Sequence, residues 1–279
     1  MILGLHVSIA DSIDKAVDRA AALNCNTFQI FTRNPRGWYS QDLKNEEIKS
    51  FIKKCKKHII KFPTVHMPYL PNLSSPKDEI YNKSTETLSD ELNRCSTLDI
   101  PYLVTHLGSH LRKGTMFGMK RIIQACDIAL SNNNKSMILL ENTAGTKNSI
   151  GSTFENLKYI LENTDNKRVG VCFDTAHAFA AGYDLRTNED VDRSLGLFDD
   201  IIGLDRIKVI HFNDSKTPFN SHSDRHQHIG LGYIGEIGLT AILRNKVIRN
   251  CPMILETPKD SIRDDIDNLL KVREIEGEK

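Results

Sequence analysis

The sequence lacks the features that would place it in a membrane, outside the cell or on a disulfide frame. No stretch of its 279 residues approaches the ~18 apolar residues of a membrane span. The start, Met1-Ile2-Leu3-Gly4-Leu5-His6, has neither the basic region nor the longer apolar core of a signal peptide. The expectation is a cytoplasmic protein with no membrane partner. Six cysteines, at 25, 55, 95, 126, 172 and 251, form no C-x-x-C pair and fall mostly in apolar segments such as Ile123-Gln124-Ala125-Cys126. They read as reduced core residues, not as bridges or thiolate ligands. A surplus of charge is also missing: at a net +1, any nucleic-acid binding must rest on a local basic or aromatic patch. Low-complexity segments and linkers are absent, and Lys53-Lys54-Cys55-Lys56-Lys57 reads as a solvated helix face rather than a nuclear signal. What remains, 39% hydrophobic and 26% charged, is ordinary globular composition with enough chain for one sizeable core.

Six apolar runs each end on a side chain that can hold a metal. They are Thr64-Val65-His66, Tyr102-Leu103-Val104-Thr105-His106, Met137-Ile138-Leu139-Leu140-Glu141, Val171-Cys172-Phe173-Asp174, Ile207-Lys208-Val209-Ile210-His211 and Met253-Ile254-Leu255-Glu256. Such runs read as buried strands. One His or Glu at a strand end means little, whereas six in register imply a site. Two further strands, Ile2 to Val7 and Thr27 to Phe31, bring the count to eight.

Amphipathic stretches separate them: Asp11 to Leu23 with Asp11 as expected N-cap, Glu46 to Ile60, Glu79 to Leu98, Gly118 to Leu130, and Ser152 to Glu162 opened by a Ser152-x-x-Glu155 capping box. Strand and helix alternating eight times in this length predict an α/β protein. The expected architecture is a single (β/α)8 TIM-barrel domain over residues 1–279, with the strand-end ligands at the C-terminal mouth. An open doubly wound sheet would collect ligands only at a switch point. Two long loops, Met67 to Lys77 and Asp214 to Gly235, are of a length that is usually functional.

His177, three residues after Asp174, and the Asp224-Arg225-His226 segment extend the candidate ligands to nine: His66, His106, Glu141, Asp174, His177, His211, Asp224, His226 and Glu256. Imidazole and carboxylate without thiolate suit Zn²⁺, and also Mn²⁺ or Fe²⁺. A catalytic zinc takes about three protein ligands, so nine can serve two or three ions, and two ions ~3.5–4 Å apart are the recurrent clamp of phosphoryl hydrolysis. Taken alone, a buried histidine is more often a hydrogen-bonded core residue than a ligand, and Glu141 or Glu256 alone could pair with a lysine. His6 and His110 lie close enough to the expected mouth for supporting roles.

Three segments then carry a likeness: Val169 to Asp184 around Phe173-Asp174-Thr175-Ala176-His177; His211-Phe212-Asn213-Asp214-Ser215-Lys216 with Asp224-Arg225-His226; and Glu141-Asn142-Thr143-Ala144-Gly145. They closely resemble the signatures of the endonuclease IV family, the zinc-dependent apurinic/apyrimidinic endonucleases. The likeness runs from Gly4-Leu5-His6-Val7-Ser8 to Leu255-Glu256-Thr257. It implies a monomeric TIM barrel that acts on double-stranded DNA containing abasic sites. Such an enzyme hydrolyses the phosphodiester 5′ to the lesion and leaves a 3′-hydroxyl and a 5′-deoxyribose phosphate.

The resemblance also implies three zinc ions. His66, His106 and Glu141 would hold the first; Glu141, Asp174, His211 and Glu256 the second; His177, Asp224 and His226 the third. Glu141 and Glu256 are then the catalytic carboxylates, and Arg36, Tyr69 and Leu70 the DNA-binding residues that bend the duplex and flip out the abasic nucleotide. Trimming of 3′ ends is a further activity the resemblance implies. Ala176, Asn220 and Leu231 depart from the family's pattern, and none removes a ligand. Asn220 can supply the left-handed backbone that a glycine often marks. Two rival readings remain. A sugar isomerase or epimerase on the same barrel would need only Glu141, Asp174, His211 and Glu256, and a non-catalytic DNA-lesion binder should have lost ligands.

Overall fold

The computed structural model describes residues 1–131, 135–164 and 167–277. Eight parallel strands form one sheet: β1 (Leu3–Leu5), β2 (Gln29–Ile30), β3 (Thr64–His66), β4 (Tyr102–Thr105), β5 (Met137–Glu141), β6 (Val169–Asp174), β7 (Ile207–His211) and β10 (Met253–Leu255). The lateral order β1-β10-β7-β6-β5-β4-β3-β2 follows the chain around a circle. The remaining gap is closed by a parallel bridge between His6 and Gln29, where the Val7 amide donates to the Gln29 carbonyl at 2.9 Å. The sheet is therefore a (β/α)8 barrel, as the alternation predicts. Two short strands outside it, β8 (Asp214–Ser215) and β9 (His226–Gln227), pair antiparallel at the mouth.

Helices surround the barrel: α1 (Lys15–Ala22), α2 (Asn45–Lys57), α3 (Asp78–Thr97), α4 (Thr115–Ser131), α5 (Phe154–Asn163), α6 (Thr175–Ala181), α7 (Asn188–Ile201), α8 (Gly235–Arg244), α9 (Lys246–Asn250) and α10 (Asp265–Glu276). Strand residues facing inward, Val104, Leu139, Cys172, Val209 and Ile254, form a small sealed cluster inside the barrel. Their alternate neighbours face the helices and join the large outer core. Either layer is close-packed, so truncating Leu139 or Ile254 to Ala should cost about 2–5 kcal/mol. Gly4 marks a close approach: a Cβ there would sit 1.9 Å from the Thr27 carbonyl oxygen. All six cysteines are free, as their apolar settings predict.

Three helix starts differ by more than one residue from those expected: α4 begins at Thr115, three residues before Gly118, and α1 and α5 are capped differently. α1 begins at Lys15 because Asp11 takes a left-handed conformation, φ 72°, and bonds Arg19 instead of capping. α5 is capped by Thr153, not Ser152. Thr153 is extended and its hydroxyl accepts the Asn156 amide at 3.3 Å, so the cap falls one residue later than the Ser152-x-x-Glu155 pattern suggests.

Asp14, at the start of α1, clamps α1 to α2. Its carboxylate accepts from Lys54 Nζ and Ser50 Oγ, both at 2.7 Å, and from Ser12 Oγ. Burial alone would raise this carboxyl, but Lys54 and the two hydroxyls hold it well below the usual carboxylate range. A depressed folded-state pKa adds stability above the unfolded value of ~3.9, and that stability is lost as pH falls through the folded pKa. Asp14→Asn should therefore cost about 1.5–3 kcal/mol at pH 7, with the gap to wild type narrowing below about pH 4. Denaturant unfolding of both proteins at pH 7 and pH 3 checks this, and a gap that does not depend on pH would contradict it.

Candidate metal centre

Each barrel strand delivers its last side chain to one mouth, because parallel strands in register all end on the same face. His66 ends β3, Glu141 β5, Asp174 β6 and His211 β7, while His106 and Glu256 directly follow β4 and β10. His177 sits one turn into α6, which Asp174 caps by accepting the His177 amide at 2.7 Å. His226 arrives on β9 and Asp224 just before it. All nine predicted ligands thus converge.

Their ligand atoms form three groups, each with every atom within 4.8 Å of the others. The groups are His66, His106 and Glu141; Glu141, Asp174, His211 and Glu256; and Asp174, His177 and His226. Glu141 and Asp174 each belong to two. Asp224 approaches the third group from the solvent side, with Oδ1 3.0 Å from His177 Nε2 and 3.6 Å from His226 Nε2.

Hydrogen bonds decide which imidazole nitrogen each histidine presents. A backbone carbonyl can only accept, so the nitrogen facing it must carry the hydrogen. His66 Nδ1 donates to the Met67 carbonyl at 2.7 Å, His177 Nδ1 to Asn142 at 2.9 Å and His226 Nδ1 to Glu256 at 3.1 Å. All three therefore direct Nε2, the nitrogen free to ligate, at the cluster. Among the described residues, Nε2 of His177 and of His226 are buried without a hydrogen-bond partner. Imidazole nitrogens crowded against carboxylates yet left outside hydrogen-bond geometry suit a shared cation, because leaving such atoms unmet is costly.

The charge balance points the same way. Burial alone would raise the Glu141 and Glu256 carboxyls, yet His106 and His211 beside the first, and His211 and His6 beside the second, hold both well below the usual range. Burial opposes the imidazolium of His177 and of His211, but Asp174 and Asp224 around the first, and Glu256 and Glu141 around the second, raise both well above the ordinary histidine value. Nitrogens that can hold either a proton or an ion couple ion binding to proton release.

A cleft of about 520 Å³ opens over these groups, with His6, Phe31, Tyr69, Arg225 and Lys259 on its walls. Of the three predicted DNA contacts, Tyr69 lines this cleft and Leu70 lines an adjoining one. Tyr69 and Leu70 are 61% and 40% exposed, unusual for an apolar pair fixed beside a polar centre. Tyr69 packs edge-on against Phe31, centroids 5.2 Å apart, and its amide donates to the Pro35 carbonyl, tying the loop after β3 to the loop after β2. Arg36 is exposed on that second loop. The loop is held from below by buried charges: Glu91 on α3 accepts from Arg33, and Arg94 donates to the Thr32 carbonyl at 2.6 Å and the Gln41 carbonyl at 2.9 Å.

The chain is similar in sequence and fold to known proteins. A family model described as a xylose isomerase-like TIM barrel matches residues 17–274. The chain is 53% identical over 280 residues to a "Probable endonuclease 4" of Methanoculleus marisnigri, covering 99% of each. The chain belongs to the endonuclease IV family. Endonuclease IV of Thermus thermophilus has the same fold, with TM-score 0.87 and 32% identity over 99% of this chain and 97% of that one. A D-tagatose 3-epimerase-like protein shares only the barrel, at TM-score 0.69 and 22% identity, with 98% of this chain and 95% of that one covered.

Within this endonuclease IV scaffold, several supporting residues escaped the sequence reading. Asn213 donates to Asp174 Oδ2 at 2.8 Å and accepts the Glu256 amide at 2.8 Å. Buried Asp214 gathers the amides of Ser215, Gly230, Gly232, Ile234 and Gly235, which fixes the turn bearing Leu231. His6 does reach the centre, through Gln29, whereas His110 accepts the Gly114 amide within its own loop. Asn220 adopts the left-handed conformation, φ 57°, that its place in the family pattern requires.

Proposed function

We propose that this protein is a DNA-repair endonuclease of one barrel domain, residues 1–279, that hydrolyses the phosphodiester 5′ to abasic sites in duplex DNA. It leaves a 3′-hydroxyl and a 5′-deoxyribose phosphate, uses three zinc ions, and also trims blocked 3′ ends. The observation that carries this reading is the meeting of three ligand groups through the shared carboxylates Glu141 and Asp174. A single-ion sugar isomerase has no use for His66, His106, His177, Asp224 and His226. Among the described residues no helix is long and apolar enough to cross a membrane, in keeping with the proposal of a cytoplasmic, monomeric enzyme.

Divalent ions bound in these groups supply Lewis acidity toward phosphate oxygens and toward water. The chain's own contribution is placement. His66, His106 and Glu141 would hold the first ion, Glu141, Asp174, His211 and Glu256 the second, and His177, Asp224 and His226, with Asp174 adjacent, the third. Glu141, shared by the first two groups, would serve both ions, and Glu256 would complete the second site. Arg225 and Lys259 bring positive charge to the wall of the cleft that holds six of the candidate ligands, where phosphate must enter.

Tyr69 and Leu70 act as a wedge in the base stack, since extruding a nucleotide needs an apolar filler in its place, and Arg36 holds backbone phosphate. Tyr69→Ala should reduce the preference for abasic over intact duplex by about 10-fold or more, taking one base-stacking contact at about 1–3 kcal/mol. Its metal content should not change. Fluorescence anisotropy on matched duplexes measures the preference, and an unchanged ratio would remove Tyr69 from this role. Incision of an abasic duplex without turnover of ketohexoses tests the reading against the isomerase alternative, and the opposite pattern would reverse it.

A further inference from the structure

Gln29 is fully buried on β2, opposite the strands that carry most ligands, and its amide is shared between two of them. Its Nε2 donates to Glu256 Oε1 at 2.7 Å and lies 3.1 Å from His6 Nδ1, while its Oε1 is 2.8 Å from His211 Nε2. The orientation of the amide follows from chemistry. An ionised carboxylate only accepts, so the nitrogen of Gln29 must face Glu256 and its oxygen must face His211. An amide oxygen also only accepts, so His211 Nε2 must carry the hydrogen.

His211 is thereby left with Nδ1 as its ligating nitrogen, which points at Glu141 Oε1 at 2.9 Å, Glu256 Oε2 at 3.3 Å and Asp174 Oδ2 at 3.8 Å. This reverses the choice made at His66, His177 and His226, where backbone carbonyls hold Nδ1 and leave Nε2 free. At His211 the outer nitrogen points across the barrel, and the Gln29 side chain from β2 supplies the acceptor. The bridge between His6 and Gln29 that closes the barrel fixes the backbone from which that side chain projects.

We propose that Gln29 is a positioning residue that selects the Nδ1-ligating form of His211 and, with the same amide, orients Glu256 toward the same ion. The proposal rests on the metal reading above. An outer partner of this kind is worth about 10- to 100-fold in metal affinity. Gln29→Met keeps length and volume but removes both polar atoms; Gln29→Glu keeps an acceptor for His211.

The test is zinc competition with a graded chelator on full-length protein, combined with ¹⁵N-histidine NMR of the zinc-loaded forms. In wild type the expected pattern is three zinc ions per chain and a single ligand histidine among His66, His177, His211 and His226 that carries its hydrogen on Nε2. Gln29→Met should weaken one of the three ions by about 10- to 100-fold and lose that Nε2–H signature, whereas Gln29→Glu should retain the signature. If Gln29→Met fails to fold, loss of the signature in Gln29→Glu overturns the proposal by itself. Wild-type zinc affinity and an unchanged His211 signature in Gln29→Met also overturn it and leave the metal reading standing. Wild-type protein that takes up no zinc overturns both.

Discussion

Glu141→Gln should lower incision of an abasic duplex by about a thousandfold or more while the protein stays folded. Glu141 is fully buried at the end of β5, and its two oxygens face different partners: Oε2 lies 3.1 Å from His66 Nε2 and Oε1 lies 2.9 Å from His211 Nδ1. An amide has the same shape but no charge and only one accepting oxygen, so it cannot bridge two cations. Losing that bridge removes several kcal/mol of charge stabilisation in the transition state, and about 4 kcal/mol corresponds to a thousandfold in rate. The barrel does not depend on it, because Leu139 and its neighbours pack the interior below the mouth. Single-turnover incision together with circular dichroism measures both halves, and near-normal turnover by the variant would contradict the role of Glu141.

Prolonged chelation should abolish incision and lower the melting temperature together, and added zinc should restore both. An ion that binds only the folded chain stabilises it by about 4 kcal/mol when its free concentration is a thousandfold above Kd. Three such sites would make the ion-bound protein much the more stable form. The direction with pH follows from the histidines. Without ions, His177 and His211 have pKa values raised well above the ordinary value, by Asp174 and Asp224 at the first and by Glu256 and Glu141 at the second, against the opposing effect of burial. Protons held on either ring compete with an ion for the same nitrogens. Ion uptake displaces those protons, so apparent affinity falls as pH falls, and a given chelator should strip the protein faster at pH 6 than at pH 8. Equal stripping at the two values, or a melting temperature indifferent to chelation, would argue against a resident metal cluster.

The barrel and its ligand cluster were legible in the sequence for one physical reason. In a parallel barrel the end of every strand is a fixed place, so His66, His106, Glu141, Asp174, His211 and Glu256 could be aligned by where their apolar runs stop. The supporting polar residues offered no such signal. Gln29, Asn213 and Asp214 act through partners far along the chain, such as Gln29 with His211 and Asp214 with Gly232, and nothing local distinguishes them from ordinary loop or strand residues.

Helix starts failed for a different reason. Asp11 and Ser152 are good capping residues by type, but capping depends on which residue is extended just before the first turn. That residue is Thr153 for α5, and for α1 the left-handed turn at Asp11 moves the start to Lys15. The division of ligands also needed coordinates. The family resemblance placed Asp174 with His211, whereas the fold puts it within reach of His177 and His226 as well.

The most direct measurement is incision of a duplex carrying one abasic analogue by protein whose metal has been counted, with the ends of both fragments identified. The account predicts cleavage on the 5′ side of the lesion, a 3′-hydroxyl on one fragment and a 5′-deoxyribose phosphate on the other, and about three zinc ions per chain. Intact duplex after incubation with fully zinc-loaded protein, or cleavage on the 3′ side of the lesion, would contradict it.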